Sequence, residues 1–296
     1  DAVLYAPDNT PGNKTLFSKS VARTLLAKIY AEKPLRDYTK VIQYCDEVKA
    51  DGFDLVDDFS DLFGMNAAGT DAKMRNTKES ILEAQFTSGA GNWCTWMFGR
   101  DLVNWNNNFT WAKWVTPSRD LISAFKQEGD EVRFKESIVY YDCNWSNYYP
   151  SDNYPFMYKC RSANSSIIKF RYADVLLLKA EALIMQDTPD LEGAADIIDE
   201  VRDRAKLGAL PTSVRSNKNV LLNALLKERR LELAFEGQRW FDLVRLDKVE
   251  EVMNAVYAKD SGRKAQIYTF DKNSYRLPIP QSVIDANDKI HQNPGY

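Results

Sequence analysis

Histidine is nearly absent from this chain: His291 is the only one among 296 residues. A single histidine excludes His-rich metal sites, zinc-protease motifs and most Ser-His-Asp or Cys-His catalysis, because each of these needs an imidazole as ligand or base. An enzyme with this composition would have to work with carboxylates, tyrosine, lysine or cysteine. No motif in the sequence indicates a cofactor or a metal.

Paired cysteines, long apolar runs and an excess of basic charge are also missing. The four cysteines, Cys45, Cys94, Cys143 and Cys160, form no C-x-x-C motif, so neither a zinc ribbon nor a redox site is indicated. Apolar runs fall far short of the roughly 18 residues of a membrane-spanning helix. Lys plus Arg is 39 and Asp plus Glu is 42, a formal charge of −3, which argues against a nucleic-acid partner. The 44% hydrophobic content is enough to form a sizeable core.

Amphipathic helices are the strongest pattern that is present. Apolar residues recur at helical spacing along five segments, and proline or glycine follows several of them where a helix has to stop. The segment 239–251 has the pattern of a shorter partner to the last helix. The sequence therefore predicts a mainly helical protein with little sheet. The predicted long helices span 18–32, 37–50, 171–186, 191–206 and 219–236.

The helices occur in pairs, and the pairs look like a repeat. The pattern A-x-x-L-L-x-K is found in Ala22–Lys28 and again in Ala173–Lys179, each time in the first helix of a pair. Pairs of this length with small residues at close contacts are typical of tetratricopeptide-like solenoids. The alternative is that any two amphipathic hairpins share so short a pattern. The favoured fold class is mainly α, with tetratricopeptide-like helix pairs forming an α-α superhelix that supports a loop-rich ligand-binding region.

Residues 53–170 have a different character from the helical segments on either side. Helical periodicity is poor there, and Gly, Asn, Ser and Pro are frequent. Six of the seven tryptophans fall in this stretch, together with a run of tyrosines. A long loop-rich insertion in a compact helical protein is usually functional.

Several of these aromatic residues are interleaved with amides, which is the chemistry of a carbohydrate site. Ring faces stack on sugar C–H groups, and neighbouring amides bond hydroxyls. We therefore predict a surface for a neutral, polyhydroxylated ligand. The alternative is that each tryptophan anchors a loop on the core. We favour this alternative for Trp111 and Trp114, because they are spaced i, i+3 and precede an apolar run. The candidate ligand-binding residues are Trp93, Trp96, Trp105, Trp145, Tyr148 and Tyr149.

A charged run inside an apolar helix pair offers a second candidate site. Its charges are spaced i, i+3 and predict an ion-pair network that locks the two helices together. The alternative is catalytic: Glu232 and Glu236 are spaced i, i+4 and could act as the acid and base of a glycosidase. We favour the structural interpretation, since every carboxylate has an arginine within reach. The predicted network consists of Arg229, Glu232, Glu236, Arg239, Asp242 and Arg245.

At this run the sequence resembles a known family. Residues 228–243, ERRLELAFEGQRWFDL, are similar to the signature of the SusD/RagB family of Bacteroidetes. Four further segments are also similar to family motifs, and together they extend the resemblance over about 16–296. These segments are 19–30, 114–125, 170–183 and the C-terminal stretch from Leu277 to Tyr296.

The resemblance implies a function as well as a fold. SusD-like proteins are lipoproteins of the outer membrane that capture nutrients at the cell surface beside a TonB-dependent SusC-like transporter, without catalysis. The resemblance implies an anchor at an N-terminal cysteine absent from this chain. We expect residues 1–296 to be the C-terminal portion of a single SusD-like domain. Its parts would be the helix pair 18–50, the aromatic insertion 53–170, helix pairs 171–206 and 219–251, and an extended segment 276–296.

Three functions stay open at this point. The leading one is non-catalytic binding of an oligo- or polysaccharide for uptake. The second keeps the architecture but gives it a peptide ligand, as the RagB branch of the family implies. The third is a glycosidase that uses Glu232 and Glu236. The sequence does not distinguish which glycan would be bound.

Overall fold

A computed structural model describes residues 2–87, 91–92, 116–259 and 269–296 of the chain. The chain forms two compact units, Asp1–Gln238 and Arg239–Tyr296. Helices predominate in both units, which confirms the predicted fold class.

The first unit contains most of the helices and the described strands. Its helices are α1 (Ala2–Tyr5), α2 (Lys19–Ala31), α3 (Tyr38–Ala50), α4 (Ser60–Phe63), α5 (Arg119–Glu128), α6 (Glu131–Ser137), α7 (Tyr172–Met185), α8 (Leu191–Arg204), α9 (Thr212–Arg215) and α10 (Lys218–Glu232). A short 3₁₀ helix, Lys33–Leu35, follows α2. The strands are β1 (Ser80–Ala84), β2 (Ile138–Tyr141), β3 (Tyr154–Met157) and β4 (Ile167–Arg171).

The long helices begin where a polar side chain can cap them. Ser18 accepts a hydrogen bond from the Val21 amide at the start of α2, and Asp37 accepts one from the Lys40 amide at the start of α3. Asp190 caps α8 in the same way. Each cap satisfies an amide that has no partner inside its helix, and such a cap stabilises a helix by about 1 kcal/mol.

Helix α7 forms the centre of the main core. It packs against α3, α8 and α10, and its apolar side chains are buried on all sides. Leu177 and Ala180 are fully inaccessible to solvent. A helix that is apolar all round is stable only when neighbours cover every face, so the helix pairs α2–α3 and α7–α8 stack on each other.

Two small antiparallel sheets lie between the helical segments. β1 pairs with β4, and the register sets Ser80 opposite Arg171. β2 pairs with β3, from Ile138 opposite Met157 to Tyr141 opposite Tyr154. The stretch 53–170, which the sequence marks as loop-rich, therefore contains short helices and strands. The sequence gives no sign of the strand pairs, because the paired strands are remote in sequence or separated by a loop.

The helix predicted over 219–236 is shorter than expected: α10 ends at Glu232. The turn after it contains Phe235 and Gly237, both with left-handed backbone (φ 66° and 78°). A non-glycine residue in this region is uncommon and ends a helix. Helix α10 thus ends four residues before position 236, the end that a stop at Gly237 alone predicts.

The second unit contains two helices where the sequence predicts one. α11 spans Arg239–Arg245 and α12 spans Val249–Lys259, separated by Asp247 in a left-handed conformation (φ 55°). A 3₁₀ helix (Lys272–Tyr275) and α13 (Gln281–Asp285) follow. The expected extended C-terminal segment is therefore interrupted by the short helix α13, which begins directly after Pro280.

Side chains bond the backbone at two places in this second unit. The Asn254 amide group bonds both the N–H and the C=O of Phe270, and Gln292 does the same to Ile279. Phe270 also contacts Trp240, with ring centroids 6.2 Å apart. Across the described residues of both units, none of the helices has the length and apolar composition needed to cross a bilayer.

Candidate functional site

The hairpin of β2 and β3 supports a loop, 142–153, that contains three of the predicted ligand-binding aromatics. The loop is closed at its base, where the Cys143 amide donates to the Ser151 carbonyl at 2.6 Å. Cys143, at the base of the loop, is buried together with Tyr154 and Phe156. We call residues 142–153 the aromatic loop.

The described candidates in this loop lie together and are half-buried. Tyr148 and Tyr149 meet edge to face with ring centroids 4.9 Å apart. Trp145 packs on Phe156 at 6.0 Å, and the Tyr149 hydroxyl donates to the Pro117 carbonyl at 2.7 Å. The rings thus anchor the loop on the core and keep part of their surface exposed, and their role in ligand binding stays a prediction.

Arg119 joins the two tyrosines, and the sequence analysis did not identify it. Its guanidinium carbon lies 4.2 Å from the Tyr148 ring centroid and 4.5 Å from that of Tyr149, and it donates a hydrogen bond to the Tyr148 carbonyl. It is the first residue of α5, directly after the capping Ser118. No spacing in the sequence indicates its approach to a loop 29 residues away.

Two neighbouring cavities open on this surface and share Arg119, Tyr149 and Pro150. The larger, about 780 Å³, is lined along the aromatic loop by rings, amides and hydroxyls, including Trp145, Tyr148 and Asn147. The smaller, about 470 Å³, lies between the loop and α5. Its other lining residues are Ile122, Ser123, Lys126, Gln127, Tyr140 and Asn153. We call Arg119, Trp145, Tyr148 and Tyr149 the aromatic-loop site.

Trp93, Trp96 and Trp105 lie outside the described residues, as do Trp111 and Trp114. Their role stays a prediction. Within the described part of the chain, no group of three or more His, Cys, Asp or Glu side chains is arranged to hold a metal ion.

The second candidate, Glu232, lies at the centre of a buried ion cluster. Arg171 donates to its carboxylate at 2.5 Å and Arg133 at 3.0 Å, and Arg204 also bonds it. All four side chains are 4% exposed or less. We call the following residues the Glu232 cluster: Glu79, Asp130, Arg133, Lys159, Arg171, Arg204, Glu228, Glu232 and Glu236.

Glu236 occupies the edge of this cluster. Its carboxylate accepts from Lys159 at 2.6 Å and from Arg171 at 2.7 Å. Lys159 also donates to the Glu232 carbonyl at 2.9 Å. Glu236 and Lys159 border a third cavity, of about 460 Å³, with apolar walls that include Phe63 and Phe235.

Burial and charge oppose each other in the cluster. Burial raises the pKa of Glu232, but Arg204, Arg171 and Arg133 outweigh it and hold that pKa well below its ordinary value. The pKa of Glu236 is lowered as well, since Arg171 and Lys159 outweigh its burial. Burial lowers the pKa of Lys159 to about 8. Both glutamates are therefore firmly ionised at neutral pH.

The ion pairs differ from the i, i+3 network that the sequence predicts. Arg229 donates to Asp174 at 2.7 Å, across to α7, where a partner at Glu232 was expected. Asp242 and Arg245 do form the expected i, i+3 pair, at 2.9 Å. The partners of Glu232 come from β4, α6 and α8, between 28 and 99 residues away in sequence. Sequence spacing finds pairs within one helix and has no signal for these.

Paired amphipathic helices stacked about α7, with a loop rich in aromatic residues beside them, define a tetratricopeptide-like helical scaffold. Residues 153–296 match the family model described as "SusD family". A SusD-like protein of Formosa agariphila, named P38, is 44% identical over 99 residues, which are 31% of this chain and 19% of that protein. The C-terminal part of this chain, residues 153–296, is thus similar in sequence to the SusD family.

Solved structures support the same fold over nearly the whole chain. A SusD-like protein from Bacteroides fragilis superposes with a TM-score of 0.74 at 21% identity, covering 100% of this chain and 68% of that one. The surface glycan-binding protein A of Bacteroides thetaiotaomicron, in complex with laminarihexaose, gives a TM-score of 0.74 at 19% identity, covering 97% and 66%. The chain thus spans about two thirds of these solved chains.

Proposed function

We propose that this protein binds an oligo- or polysaccharide at the bacterial cell surface without cleaving it. The observation that carries the proposal is the aromatic-loop site, in which Arg119 and two tyrosines meet beside cavities lined by rings, amides and hydroxyls. Apolar ring surface takes the C–H faces of a sugar, and amides bond its hydroxyls. A family neighbour in complex with laminarihexaose supports this class of ligand.

The resemblance to SusD-like proteins also supports a proposal for delivery and location. A SusD-like protein of this kind would be lipid-anchored in the outer membrane, through an N-terminal cysteine, and deliver its ligand to a TonB-dependent SusC-like transporter. We propose both for the full-length protein. We also propose that residues 1–296 form one portion of a single SusD-like domain.

Binding without cleavage is favoured by the state of the two glutamates. A glycosidase needs one carboxyl group with a raised pKa that can donate a proton to the leaving oxygen. The pKa values of Glu232 and Glu236 are both lowered, and arginines occupy their oxygens. Neither glutamate is suited to act as the acid, so their role is structural.

The test is calorimetry with single variants against laminarihexaose and a panel of other glycans. We expect wild-type Kd values of roughly mM to μM, typical of about −4 to −8 kcal/mol. Tyr148→Ala should weaken binding by about 1–2 kcal/mol, since a ring that stacks on a sugar is lost. Tyr5→Ala is the matched control, because Tyr5 is 82% exposed and lies on α1, outside the lining of both cavities.

Three results would overturn the proposal. Wild-type protein that binds a peptide library and no glycan would establish the peptide alternative. A Tyr148→Ala variant that folds normally and binds like wild type would move the site away from the aromatic loop. Release of reducing sugar from a bound glycan would show catalysis.

A further inference from the structure

The third cavity, of about 460 Å³, is separate from the aromatic-loop site. It lies within the first unit and shares no lining residue with the two cavities beside the aromatic loop. Its volume is in the range of pockets that hold a small molecule. Most of its surface is apolar, and that part of the lining consists of Phe63, Met157, Ile167, Ile168 and Phe235.

Lys159 brings a buried positive charge to the wall of this cavity. Its side chain is 4% exposed. Its ammonium donates to the Glu236 carboxylate at 2.6 Å and to the Glu232 carbonyl at 2.9 Å. The rings of Phe59 and Phe63 lie 5.2 and 4.6 Å from it, and a ring face is a weaker acceptor than an oxygen. Since an ammonium has three N–H groups, one of them has no oxygen acceptor among the described residues.

The Ser166 hydroxyl is a second donor at the same cavity. Ser166 lines the cavity directly before β4, and its Oγ is buried without a hydrogen-bond partner among the residues that the structure describes. Native proteins rarely leave a buried hydroxyl unpaired, because its lost hydration is not replaced. A molecule in the cavity with an oxygen acceptor would satisfy both Ser166 and Lys159.

The carboxylate in the cavity lining is already neutralised. Glu236 accepts from Lys159 and also twice from Arg171, at 2.7 and 2.8 Å. Lys169 lines the cavity as well and is exposed. The lining therefore contains two lysines and a single carboxylate, and that carboxylate is occupied by cations. A negatively charged acceptor is favoured over a neutral one in such a place, since its hydrogen bonds are charge-assisted.

We infer that the third cavity is a second binding site, which takes a small carboxylic acid with an apolar body. The carboxylate accepts from the Lys159 ammonium and the Ser166 hydroxyl, and the aromatic or branched aliphatic body packs against the apolar walls. This inference goes beyond the proposed function and does not depend on it, because it requires neither a glycan nor any residue of the aromatic-loop site.

The test separates the two halves of the ligand. Hydrocinnamate and isocaproate each have a carboxylate and an apolar body, the alcohols of the same carbon skeletons lack the charge, and propionate lacks the body. Titrations of the full chain at neutral pH, followed by ligand-observed NMR, give the affinities. We expect at least one of the two acids to bind at least about tenfold tighter than its alcohol and than propionate, because charge-assisted hydrogen bonds or apolar burial is lost in each. Equal affinity of both acids and their alcohols, or no binding of either acid, would overturn the inference.

Two variants locate the site. Ser166→Ala should weaken binding of the preferred acid several-fold without lowering the unfolding temperature, because the deleted hydroxyl has no partner to lose. Ile167→Trp should abolish binding by filling the cavity. Ser213→Ala is the matched control, since Ser213 is exposed on α9 and lines none of the three cavities.

The outcomes for the two sites are distinguishable. Glycan affinity, measured on the same samples, should be unchanged in Ser166→Ala. Wild-type affinity of folded Ser166→Ala for the acid would overturn the inference, and so would an acid that still binds folded Ile167→Trp. Either result would leave the glycan proposal standing, whereas a wild-type protein that binds the acid and no glycan would overturn the proposed function alone.

Discussion

Glu232 is the residue on which the buried charges of the first unit depend. Its carboxylate is shared by three arginines, and Arg171 and Arg204 also reach Glu79. Removing one negative charge from such a cluster leaves buried arginines with too few counter-charges. This loss destabilises the fold by more than an intact ion pair stabilises it relative to an apolar core. We therefore expect Glu232 to affect the stability of the fold and not the affinity for a ligand.

Glu232→Gln should lower the free energy of unfolding by about 3 kcal/mol, because the amide keeps the shape of the side chain but leaves Arg133, Arg171 and Arg204 short of one negative charge. Urea denaturation followed by circular dichroism measures this. The affinity of the remaining folded protein for its glycan should be unchanged. Asp46→Asn is the control: its partner Lys179 is on the surface, where an ion pair is worth less than about 1 kcal/mol. Equal losses in the two variants would contradict the central role of Glu232.

At the scale of elements, helix α5 connects the cap at Ser118 to Arg119 at the aromatic-loop site. The Ser118 hydroxyl accepts from the Leu121 amide at 3.1 Å, and Arg119 is the next residue. Leu121 and Phe125 anchor the opposite side of the helix in a small core with Leu231 of α10. The first turn of α5 thus sets the position of the guanidinium under the aromatic loop.

Ser118→Ala should destabilise the protein by about 1 kcal/mol, the usual cost of a lost N-cap. It should also weaken glycan binding, because fraying of the first turn of α5 releases Arg119 from the two tyrosines. Thermal unfolding and calorimetry on the same samples measure the two effects. Ser118→Thr keeps the capping hydroxyl and should restore both. If Ser118→Ala loses stability but binds normally, the position of Arg119 does not depend on the cap.

For the molecule as a whole, buried carboxylates set the response to acid. Glu232, Glu236 and Asp174 have lowered pKa values in the folded state: burial alone would raise each, and neighbouring cations outweigh it. Such groups stabilise the fold above their unfolded pKa, near 4, and this contribution is lost as the pH falls further. Burial raises the pKa values of Asp130 and Glu228, which gives a contribution of opposite sign.

We therefore expect the free energy of unfolding to be nearly constant from about pH 7 to pH 5 and to fall steeply below about pH 4. Urea midpoints at half-unit steps of pH measure the curve. In Glu232→Gln the acid slope should be shallower by about 1.4 kcal/mol per pH unit, since one proton fewer is taken up on unfolding. Parallel curves for wild type and variant would show that Glu232 is not held ionised by its arginines.

The amino-acid sequence by itself determined the helices α2, α3, α7 and α8 to within a residue or two, and it marked Trp145, Tyr148 and Tyr149 as aromatics of a loop-rich stretch. Helical periodicity, capping residues and proline or glycine stops act over one or two turns, so these features can be read from neighbouring letters. The family resemblance is also local, since it lies in runs of sequence.

Only the tertiary structure decided which charges meet. Arg133 reaches Glu232 across 99 residues, and Arg119 reaches Tyr148 across 29. It also decided where α10 ends, because Phe235 adopts a left-handed backbone against the preference of its side chain. Contacts of this kind depend on how strands and helices pack. The energy of a buried ion pair depends on distance in space and not on distance along the chain, so no spacing in the sequence predicts these contacts.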